Sequence, residues 1–556
     1  MRNLIKIHCL NNHTDIEVEM GTSLLELARE LNLEGANPYL AAFVNHKLKE
    51  LNYKIYSPAK VEFFDISTFA GFRVYQRSLI FIMQAVVSKL YPSHKFYARH
   101  AIGDSVYCEV SDKHEFTAEE CKALYDAACE IVAADIPITR EKLPTEEVVA
   151  EFEKRGFDDK IDLLQTRQRL YSSIERLGDE VGYFFGALAP STGYIKQFDV
   201  QPYHRGFYIS MPSRTTPDTI APVPNLKKIF SIFDTYAEWV DIMGVPTVGK
   251  LNRRIEQGDT SELIQIAEAV HEKQLARIAD TIADANRERG LRLVLISGPS
   301  SSGKTTTSKR LGVQLRVLGL HPVLISTDDY FVNREDTPRD ENGDYDFEAL
   351  EAIDLARLNE DLGKLMAGES VDIPRFDFIS GTRKWHDAPL QLDDRSILIM
   401  EGIHALNPRL TPSIPDSAKF RIYASCLTSM AMDNTSRIHT TDNRLLRRMI
   451  RDNATRGTGA ADTIARWPSV RRGEERHIFP YQEEADVMFN SSLFYELAVL
   501  KPFATPLLRE IPNTRPEYAT AQGMLKFLDN FHTISTDEIP PTSVLREFIG
   551  GSAFKY

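Results

Sequence analysis

The sequence has few cysteines and no long hydrophobic run, and each shortage argues against a class of protein. Its five cysteines, among 556 residues, show no C-x-x-C spacing, so a disulfide framework or a zinc site built from cysteine is not expected. No apolar stretch approaches the roughly 18 residues that a membrane-spanning helix needs. The sequence therefore predicts a soluble, cytoplasmic protein with no membrane partner.

The chain also has no excess of positive charge. The chain carries 66 Lys and Arg against 79 Asp and Glu, a formal net charge of −13, which argues against binding nucleic acid over the whole surface. A local basic patch is still compatible with this balance. The composition, with 43% hydrophobic and 26% charged residues, is that of a globular protein. At about 150 residues per domain, the length predicts roughly three or four domains.

The N-terminal 68 residues have the pattern of a small β-grasp domain. Two β-rich segments precede a helix, and two more segments follow it. Ser23 and Glu26 form a capping-box pattern at the start of that helix. We therefore expect residues 1–68 to be one compact domain.

The next region, 69–225, is predicted to be an α+β domain. It contains apolar helical segments at 78–90 and 117–134. The stretch 201–224 holds five prolines, so it cannot form a regular helix and is predicted to close the domain or link it to the next.

The C-terminal half changes character. Residues 226–290 are predicted to be a helical connector, which includes an amphipathic helix over 259–289. From 291 to 500, strands alternate with loops and helices, a pattern typical of a parallel α/β sheet with helices on both faces. Residues 501–556, spaced by prolines, are predicted to be a tail that packs on this α/β domain.

The strongest chemical signal is a G-x-x-x-x-G-K-[ST] segment between a predicted strand and a predicted helix. In this pattern, backbone N–H groups and the helix N-terminus bind phosphate oxygens. Lys304 is predicted to reach the β- and γ-phosphates of ATP, and Thr305 to bind Mg²⁺. The predicted nucleotide-binding residues are Gly298, Ser300, Ser301, Ser302, Gly303, Lys304, Thr305 and Thr306.

Acidic residues follow two further predicted strands. Asp328 and Asp329 come after the strand 321–326, where ligand sites of open α/β sheets gather. A carboxylate there could accept a proton from an attacking hydroxyl, although a pair of aspartates capping the next turn is an equal alternative. Glu401 ends the apolar strand 396–400, the Walker B arrangement that usually helps to bind Mg²⁺.

A basic helix is predicted over 444–456, with Gly457 as its stop. Guanidinium groups on a mobile segment can neutralise the charge that develops during phosphoryl transfer. The alternative is a solvated charged face, which is the usual fate of an arginine run. A nucleic-acid contact is less favoured because no aromatic residues interleave.

Together these motifs resemble the uridine kinase branch of the P-loop kinases, near phosphoribulokinase, over roughly 291–500. The likeness includes Tyr345-Asp346-Phe347 and the segment Pro374 to Phe378. The resemblance implies that Asp328, rather than Asp329, is the catalytic base. It further implies Mg²⁺ binding by Glu401, ribose contact by Asp346, and substrate and phosphate contacts by Arg448, Arg451 and Arg456.

The predicted base contacts depart from that family pattern. Uridine kinases have Tyr where this chain has Phe376, a base-contacting His where it has Gly381, and a Gln near Arg466. We therefore expect Phe376 and Arg466 to lie on the substrate side, with a base preference that differs from that of uridine kinases.

The N-terminal half resembles the two appended domains of threonyl-tRNA synthetase. Residues 1–68 look like its TGS domain, and 69–225 look like its second additional, editing-type domain, most clearly at Pro190 to Lys196. That editing domain uses H-x-x-x-H and C-x-x-x-H ligands. The matching positions here are Tyr75, Leu79, Phe184 and Leu188, so we expect this domain to carry no metal and not to hydrolyse mischarged tRNA.

This combination of domains resembles bacterial proteins described as nucleoside kinases. It implies an ATP- and Mg²⁺-dependent kinase in which Lys304 clamps phosphates and Asp328 is the base, while Arg451 and Arg456 close over the transferring group. The expected acceptor is a small-molecule hydroxyl, first of all the 5′-OH of a nucleoside. A sugar phosphate or polyol acceptor is one alternative, and an RNA-linked nucleotide-binding regulatory protein is another. RNA contact by the N-terminal half and a homo-oligomer both stay open.

Overall fold

The computed structural model describes residues 3–33, 35, 37–112, 115–340, 343–377 and 380–556. Its strands are β1 Leu4–Cys9, β2 Thr14–Glu19, β3 Ala41–Val44, β4 Lys47–Glu50, β5 Ala59–Phe64, β6 Phe96–Ile102, β7 Ser105–Val110, β8 Ile138–Pro144, β9 Tyr171–Leu177, β10 Glu180–Gly182, β11 Asp199–Tyr203, β12 Gly206–Ser210, β13 Leu293–Ser297, β14 His321–Ser326, β15 Pro374–Asp377, β16 Thr382–Trp385, β17 Ser396–Glu401, β18 Lys419–Ser425, β19 Ala431–Asp433, β20 Ser436–Arg437 and β21 Val487–Asn490. Its helices are α1 Leu24–Glu30, α2 Phe69–Leu90, α3 Ala118–Ala133, α4 Thr145–Glu153, α5 Asp158–Thr166, α6 Lys227–Ile242, α7 Val248–Glu256, α8 Thr260–Arg289, α9 Lys304–Val317, α10 Leu355–Met366, α11 Thr440–Arg456, α12 Ala460–His477, α13 Glu496–Arg509, α14 Tyr518–Leu528 and α15 Arg546–Ile549.

The first sheet has the strand order β2–β1–β5–β3–β4, with β1 parallel to β5 and antiparallel to β2. Helix α1 packs on it through Leu24 and Leu27. The capping box predicted for Ser23 and Glu26 is confirmed, because each accepts a hydrogen bond from the other's backbone N–H. The strand β4 was not predicted, since its sequence Lys-Leu-Lys-Glu has a single apolar residue.

The second region contains two antiparallel sheets, ordered β11–β12–β7–β6 and β10–β9–β8. Helix α2 begins at Phe69, earlier than the start at Ser78 that the sequence predicts, with Thr68 as its N-cap. Helix α3 has the predicted extent and a capping box at Thr117. The prediction that the proline-rich stretch from 201 forms no regular helix is confirmed, since β11 ends and β12 lies within it.

The third region is the predicted parallel sheet, in the order β14–β17–β13–β18–β21. All five residues of β13 are buried because helices cover both faces. Leu275, Ile278 and Ile282 of α8 pack on one face together with α9. Leu358 and Leu362 of α10 pack on the other face. The α/β fold class predicted from the sequence is therefore confirmed.

Helix α13 differs from the sequence prediction. The expected boundary at residue 500 falls inside this helix, which also contains Pro502 and Pro506. A proline leaves the carbonyl four residues earlier without its helical donor. For Pro502 that carbonyl belongs to Ala498, which instead accepts a hydrogen bond from the N–H of Ile534 at 3.3 Å. The N–H of Ile534 thus replaces the donor that Pro502 lacks, so the helix continues through the proline.

The N-terminal and C-terminal regions pack against each other through a buried polar contact. Lys160 of α5 donates from Nζ to Asp433 Oδ1 at 3.1 Å and to Thr435 Oγ1 at 2.9 Å, in the hairpin of β19 and β20. Asp159 accepts a hydrogen bond from the N–H of Asn434 at 2.7 Å. No helix in the described part of the chain is both long and apolar enough to cross a membrane.

Candidate active site

The predicted phosphate-binding loop lies between β13 and α9, at the carboxyl edge of the parallel sheet. A Cβ at Gly298 would lie 1.9 Å from the carbonyl oxygen of Ala424 in β18, so only glycine fits there. Gly303, the N-cap of α9, has φ +81°, which glycine adopts readily. The buried hydroxyls of Ser301 and Ser302 have no hydrogen-bond partner in the described part of the chain. Unsatisfied hydroxyls beside a helix N-terminus fit a loop that binds phosphate oxygens.

The side chains of the predicted metal site lie together. Thr305 donates from Oγ1 to Glu401 Oε1 at 2.9 Å, and Ser326 Oγ is 3.4 Å from the same oxygen. Burial, helped by the neighbouring Asp328 and opposed by Lys304, raises the pKa of Glu401 to about 7. Hydroxyl and carboxylate oxygens that share a site fit Mg²⁺, a cation that prefers oxygen ligands. The ammonium of Lys304 contacts the carbonyl oxygen of Pro299 at 3.2 Å.

The two aspartates after β14 differ in their surroundings. Asp329 accepts a hydrogen bond from the N–H of Phe376 at 3.3 Å, and burial raises its pKa to about 6. The half-buried carboxylate of Asp328 accepts no hydrogen bond from any described residue. Asp328 is therefore the one with a carboxylate open to an incoming group, whereas Asp329 holds the adjacent strand β15 in place.

Helix α11 carries the predicted arginines, and its buried face meets the phosphate-binding loop. Arg444 forms a two-point ion pair with Glu474, whose second oxygen it contacts at 2.7 Å, and donates to the carbonyl oxygen of Ser300 at 3.1 Å. Arg447 pairs with Glu496 at 2.6 Å. Both arginines are buried, so the alternative of a wholly solvated arginine face is wrong for them.

The arginines named as substrate contacts surround a shared carboxylate. Arg448, Arg451 and Arg456 lie 3.2, 2.8 and 3.7 Å from Asp452. Arg448 also donates from Nη1 to Ser300 Oγ at 2.8 Å. Three guanidinium groups around one carboxylate leave an excess of positive charge at this end of α11, which suits anionic ligands.

The C-terminal segment reaches the start of α9, a contact that sequence reasoning missed. Thr306 Oγ1 is 2.5 Å from Glu547 Oε2 and 2.9 Å from the hydroxyl of Tyr556. Val544 lies beside Gly303, where an added Cβ would meet its Cγ2 at 2.6 Å. No sequence signal indicates this contact, because it depends on how α13 and α14 return the chain to the loop.

The residues predicted to contact the phosphate acceptor differ in their surroundings. Asp346 accepts a hydrogen bond from the N–H of Glu348 at 3.1 Å, and its carboxylate is half-buried. Phe376 is buried and packs edge-to-face on Phe331, with ring centroids 5.6 Å apart. Arg466 is exposed on α12 and has no polar partner among the residues described. Phe378 lies outside the described residues, and the roles of Asp346, Phe376 and Arg466 stay predictions.

Glu348 is a further acid at this site that the sequence did not indicate. A Cβ at Gly473 would lie 2.3 Å from Glu348 Cβ, so α12 approaches it closely. Burial raises the pKa of Glu348 to about 7, and Arg448 opposes the shift. Its carboxylate also interacts with the charges of Asp328 and Lys304, so it lies near the phosphate-binding loop.

The positions that match the editing ligands are part of a hydrophobic core in the N-terminal half. Leu79, Phe184 and Leu188 are buried in one cluster with Tyr75. The hydroxyl of Tyr75 donates to the carbonyl oxygen of Gln197 at 2.6 Å. In the described part of the chain, no group of three or more His, Cys, Asp or Glu is arranged to hold a metal ion.

The comparisons with known proteins find different relatives for the two halves of the chain. Residues 293–494 match the model of the Phosphoribulokinase / Uridine kinase family. The threonine–tRNA ligase of Clostridium kluyveri is 30% identical over 194 residues, which are 35% of this chain and 30% of the ligase. The ligase of Syntrophomonas wolfei is 29% identical over 192 residues, which are 34% of this chain and 30% of the ligase. The chain thus spans less than a third of the length of these relatives.

Two solved structures are also similar in part. A protein described as a possible uridine kinase from Bacillus stearothermophilus has a TM-score of 0.27 at 20% identity, over 39% of this chain and 100% of that one. A D-glycerate 3-kinase from Cryptococcus neoformans has a TM-score of 0.23 at 13% identity, over 48% of this chain and 89% of that one.

Residues 293–494, with their P-loop and parallel sheet, thus form a P-loop domain. This domain matches the model of the Phosphoribulokinase / Uridine kinase family, and this chain joins it to an N-terminal half similar to threonine–tRNA ligases.

Proposed function

We propose that this protein is an ATP- and Mg²⁺-dependent kinase that transfers the γ-phosphate to the 5′-OH of a nucleoside. The observation that carries the proposal is the open carboxylate of Asp328 beside the Thr305–Glu401 pair, at the end of the phosphate-binding loop. A nucleotide switch needs the loop and a metal site, but it has no use for a carboxylate positioned to accept a proton.

Each residue has a defined task in this mechanism. The loop amides and Lys304 bind the phosphates, and Thr305 and Glu401 are the oxygen ligands that would hold Mg²⁺, which would offset the charge of the phosphates. Asp328 accepts the proton of the acceptor hydroxyl as the hydroxyl oxygen attacks the γ-phosphorus, while the bond between that phosphorus and the β,γ-bridging oxygen breaks and ADP leaves. Arg448, Arg451 and Arg456 neutralise the charge that develops on the transferring group.

The excess of arginine around Asp452 favours a second candidate, a kinase that acts on a sugar phosphate. A nucleoside carries no anionic group for these guanidiniums to bind, whereas a phosphorylated sugar does. The two candidates share all chemical steps and differ only in the acceptor.

An ATP-consumption screen with the full chain tests the proposal. It should cover uridine, cytidine, inosine, guanosine, their 2′-deoxy forms, ribulose 5-phosphate and simple polyols. We expect turnover with ribonucleosides, weak use of deoxy forms because the carboxylate of Asp346 would lose a partner, and no strict pyrimidine preference. Turnover with sugar phosphates alone would favour the second candidate. Nucleotide binding without turnover on any acceptor would argue against a kinase.

A further inference from the structure

Ser300 of the phosphate-binding loop is held through all three of its polar groups by charged side chains of α11 and α12. Its N–H donates to Glu474 Oε1 at 3.1 Å, and its carbonyl oxygen accepts from Arg444 Nη1 at 3.1 Å. Its side-chain oxygen accepts from Arg448 Nη1 at 2.8 Å. Hydrogen bonds to ionised groups are the stronger kind, so these contacts fix the residue in the loop.

Glu474 is the acid that joins these contacts. Arg444 contacts both of its carboxylate oxygens, with Oε2 at 2.7 Å, and Arg471 Nη1 donates to Oε2 at 2.9 Å. The side chain of Glu474 is fully buried, and that of Arg444 is 1% exposed. A buried carboxylate that has two guanidinium partners and a backbone donor is matched in charge and in hydrogen bonds, so its position is well defined.

The carbonyl groups of the next two loop residues have anchors as well. The carbonyl oxygen of Ser301 lies 3.5 Å from Arg447 Nη1 of α11. The carbonyl oxygen of Ser302 accepts from the hydroxyl of Ser491, the residue after β21, at 2.5 Å. Arg447 Nη1 also donates to Ser491 Oγ at 3.2 Å, so these two anchors contact each other. Three successive carbonyl groups of the loop are therefore held by buried side chains.

This anchoring determines where loop N–H groups point. In a planar trans peptide, an N–H lies opposite the preceding carbonyl group. The anchored carbonyl of Ser300 therefore turns the N–H of Ser301 away from Arg444. The anchored carbonyl of Ser302 turns the N–H of Gly303 away from its own anchor in the same way. Neither N–H donates to a residue in the described part of the chain, so both are open to phosphate oxygens.

We propose that Glu474 is a positioning residue for ATP binding, which acts through Ser300 and Arg444 without touching the nucleotide. Glu474 takes the N–H of Ser300 out of the phosphate site. It also holds Arg444 against the Ser300 carbonyl, and so leaves the N–H of Ser301 for phosphate. The inference rests on the proposed function in one respect, namely that the ligand of the loop is ATP.

Glu474→Asp and Arg444→Lys are the test variants. Glu474→Asp keeps the charge but shortens the side chain by one methylene, which stretches its contact with the Ser300 N–H. Arg444→Lys also keeps the charge, but an ammonium group lacks the fork that reaches both Glu474 and the Ser300 carbonyl.

Glu175→Asp is the matched control, because Glu175 has the same kind of surroundings in the N-terminal half. This acid of β9 is 1% exposed, pairs with Arg140 Nε at 2.7 Å and accepts the N–H of Phe184 at 3.1 Å. Shortening it should weaken a buried ion pair and a backbone contact as Glu474→Asp does. The control therefore reports the loss of stability without a change in the phosphate-binding loop.

The experiment measures the denaturation midpoint and the Kd of ATP for the full chain, by calorimetric titration. Steady-state kinetics with an acceptor that the ATP-consumption screen identifies separate KM for ATP from kcat. We expect Glu474→Asp and Arg444→Lys to raise Kd and KM for ATP by about tenfold, and Glu175→Asp to change them less than about twofold. The kcat at saturating ATP should stay near the wild-type value, because the lost interaction is one of binding.

If Glu474→Asp does not fold, Arg444→Lys decides the test. A wild-type Kd for ATP in the folded test variants, or an equal rise in Glu175→Asp, would overturn the inference. A lowered kcat with unchanged KM would also overturn it, because Glu474 would then act on the chemical step. A wild type that binds no ATP would contradict the proposed function, and the inference with it.

Discussion

Arg448 donates a hydrogen bond from Nη1 to the side-chain oxygen of Ser300 at 2.8 Å, and so joins the arginine helix directly to the phosphate-binding loop. The same guanidinium pairs with Asp452 at 3.2 Å. The planar guanidinium presents several donors in a fixed fork that can hold both partners, whereas an ammonium group is a compact point charge without that fork.

Replacing Arg448 therefore tests the link between helix and loop. We expect Arg448→Ala to lower kcat/KM for ATP by about tenfold or more, the size expected for one lost hydrogen bond to a charged group. The kcat/KM of Arg448→Lys should lie between those of the wild type and Arg448→Ala, since lysine keeps the charge but loses one partner. Steady-state kinetics at varied ATP measure this, and a lysine variant no better than alanine would show that charge alone is not enough.

Lys304→Ala should leave a folded protein with little phosphoryl transfer. Its ammonium contacts only the carbonyl oxygen of Pro299 here, so its loss removes no structural ion pair from the described residues. The expected loss of kcat is about 10²- to 10³-fold, as for removal of a group that stabilises transition-state charge. Circular dichroism and turnover are compared with those of Lys364→Ala, an exposed lysine paired with Glu360 on α10. Unchanged turnover in Lys304→Ala would contradict the assignment.

The two neighbouring aspartates make a matched pair of variants. Asp328→Asn should lower turnover by about 10²- to 10⁴-fold with little change in ATP affinity, because it removes a general base. Asp329→Asn should act mainly on stability, because its carboxylate accepts the N–H of Phe376. Measuring turnover and nucleotide binding of both variants shows which aspartate is the base. Near-normal turnover in Asp328→Asn, with none in Asp329→Asn, would show that Asp329 is the base.

Glu547 is expected to weaken nucleotide binding. Its carboxylate is 2.5 Å from the hydroxyl of Thr306, in the first turn of α9, where phosphate oxygens are expected. Glu547→Gln removes this negative charge and should tighten ATP binding several-fold. Equilibrium binding of a fluorescent ATP analogue measures the change, with Glu538→Gln, which removes an exposed acid bonded to Ser261, as control. Weaker binding in Glu547→Gln would instead make this contact part of the nucleotide site.

His100 should make the fold sensitive to acid. Its ring stacks on Phe233 with centroids 4.4 Å apart, its Nε2 has no hydrogen-bond partner in the described chain, and burial lowers its pKa to about 3. The unfolded chain binds a proton near pH 6.5, so the contribution of His100 to stability is intact above that pH and is lost as the pH falls towards 3. At pH 5 the loss is about 2 kcal/mol.

His100→Phe provides the test, because it keeps an aromatic ring but does not titrate. Between pH 7.5 and pH 5, we expect the variant to lose about 2 kcal/mol less of its unfolding free energy than the wild type does. Chemical denaturation at the two pH values measures both. Equal losses would show that the imidazole of His100 is not kept neutral by the fold.

The sequence was informative wherever local pattern decides structure. The loop 298–305 and the strands before Asp328 and Glu401 could be predicted, because strand ends in a parallel sheet meet at one edge. The pairing of Arg444 with Glu474 could not, since it depends on how α11 packs against α12. The contact of Glu547 with Thr306 joins residues 241 positions apart, and no local pattern encodes such a contact.

The buried contact of Lys160 with Asp433 has a consequence for how this chain evolves. Lys160 also lies 3.7 Å from Asp159 in its own half, whereas the ion pair of Asp433 is with Lys160 of the other half, so the C-terminal half expressed alone would expose an unmatched carboxylate at a surface that is normally covered. A mutation on one side is then tolerated only if the other side changes with it. Although relatives of each half occur in other proteins, we expect the residues at this contact to vary in concert in chains that join the two halves.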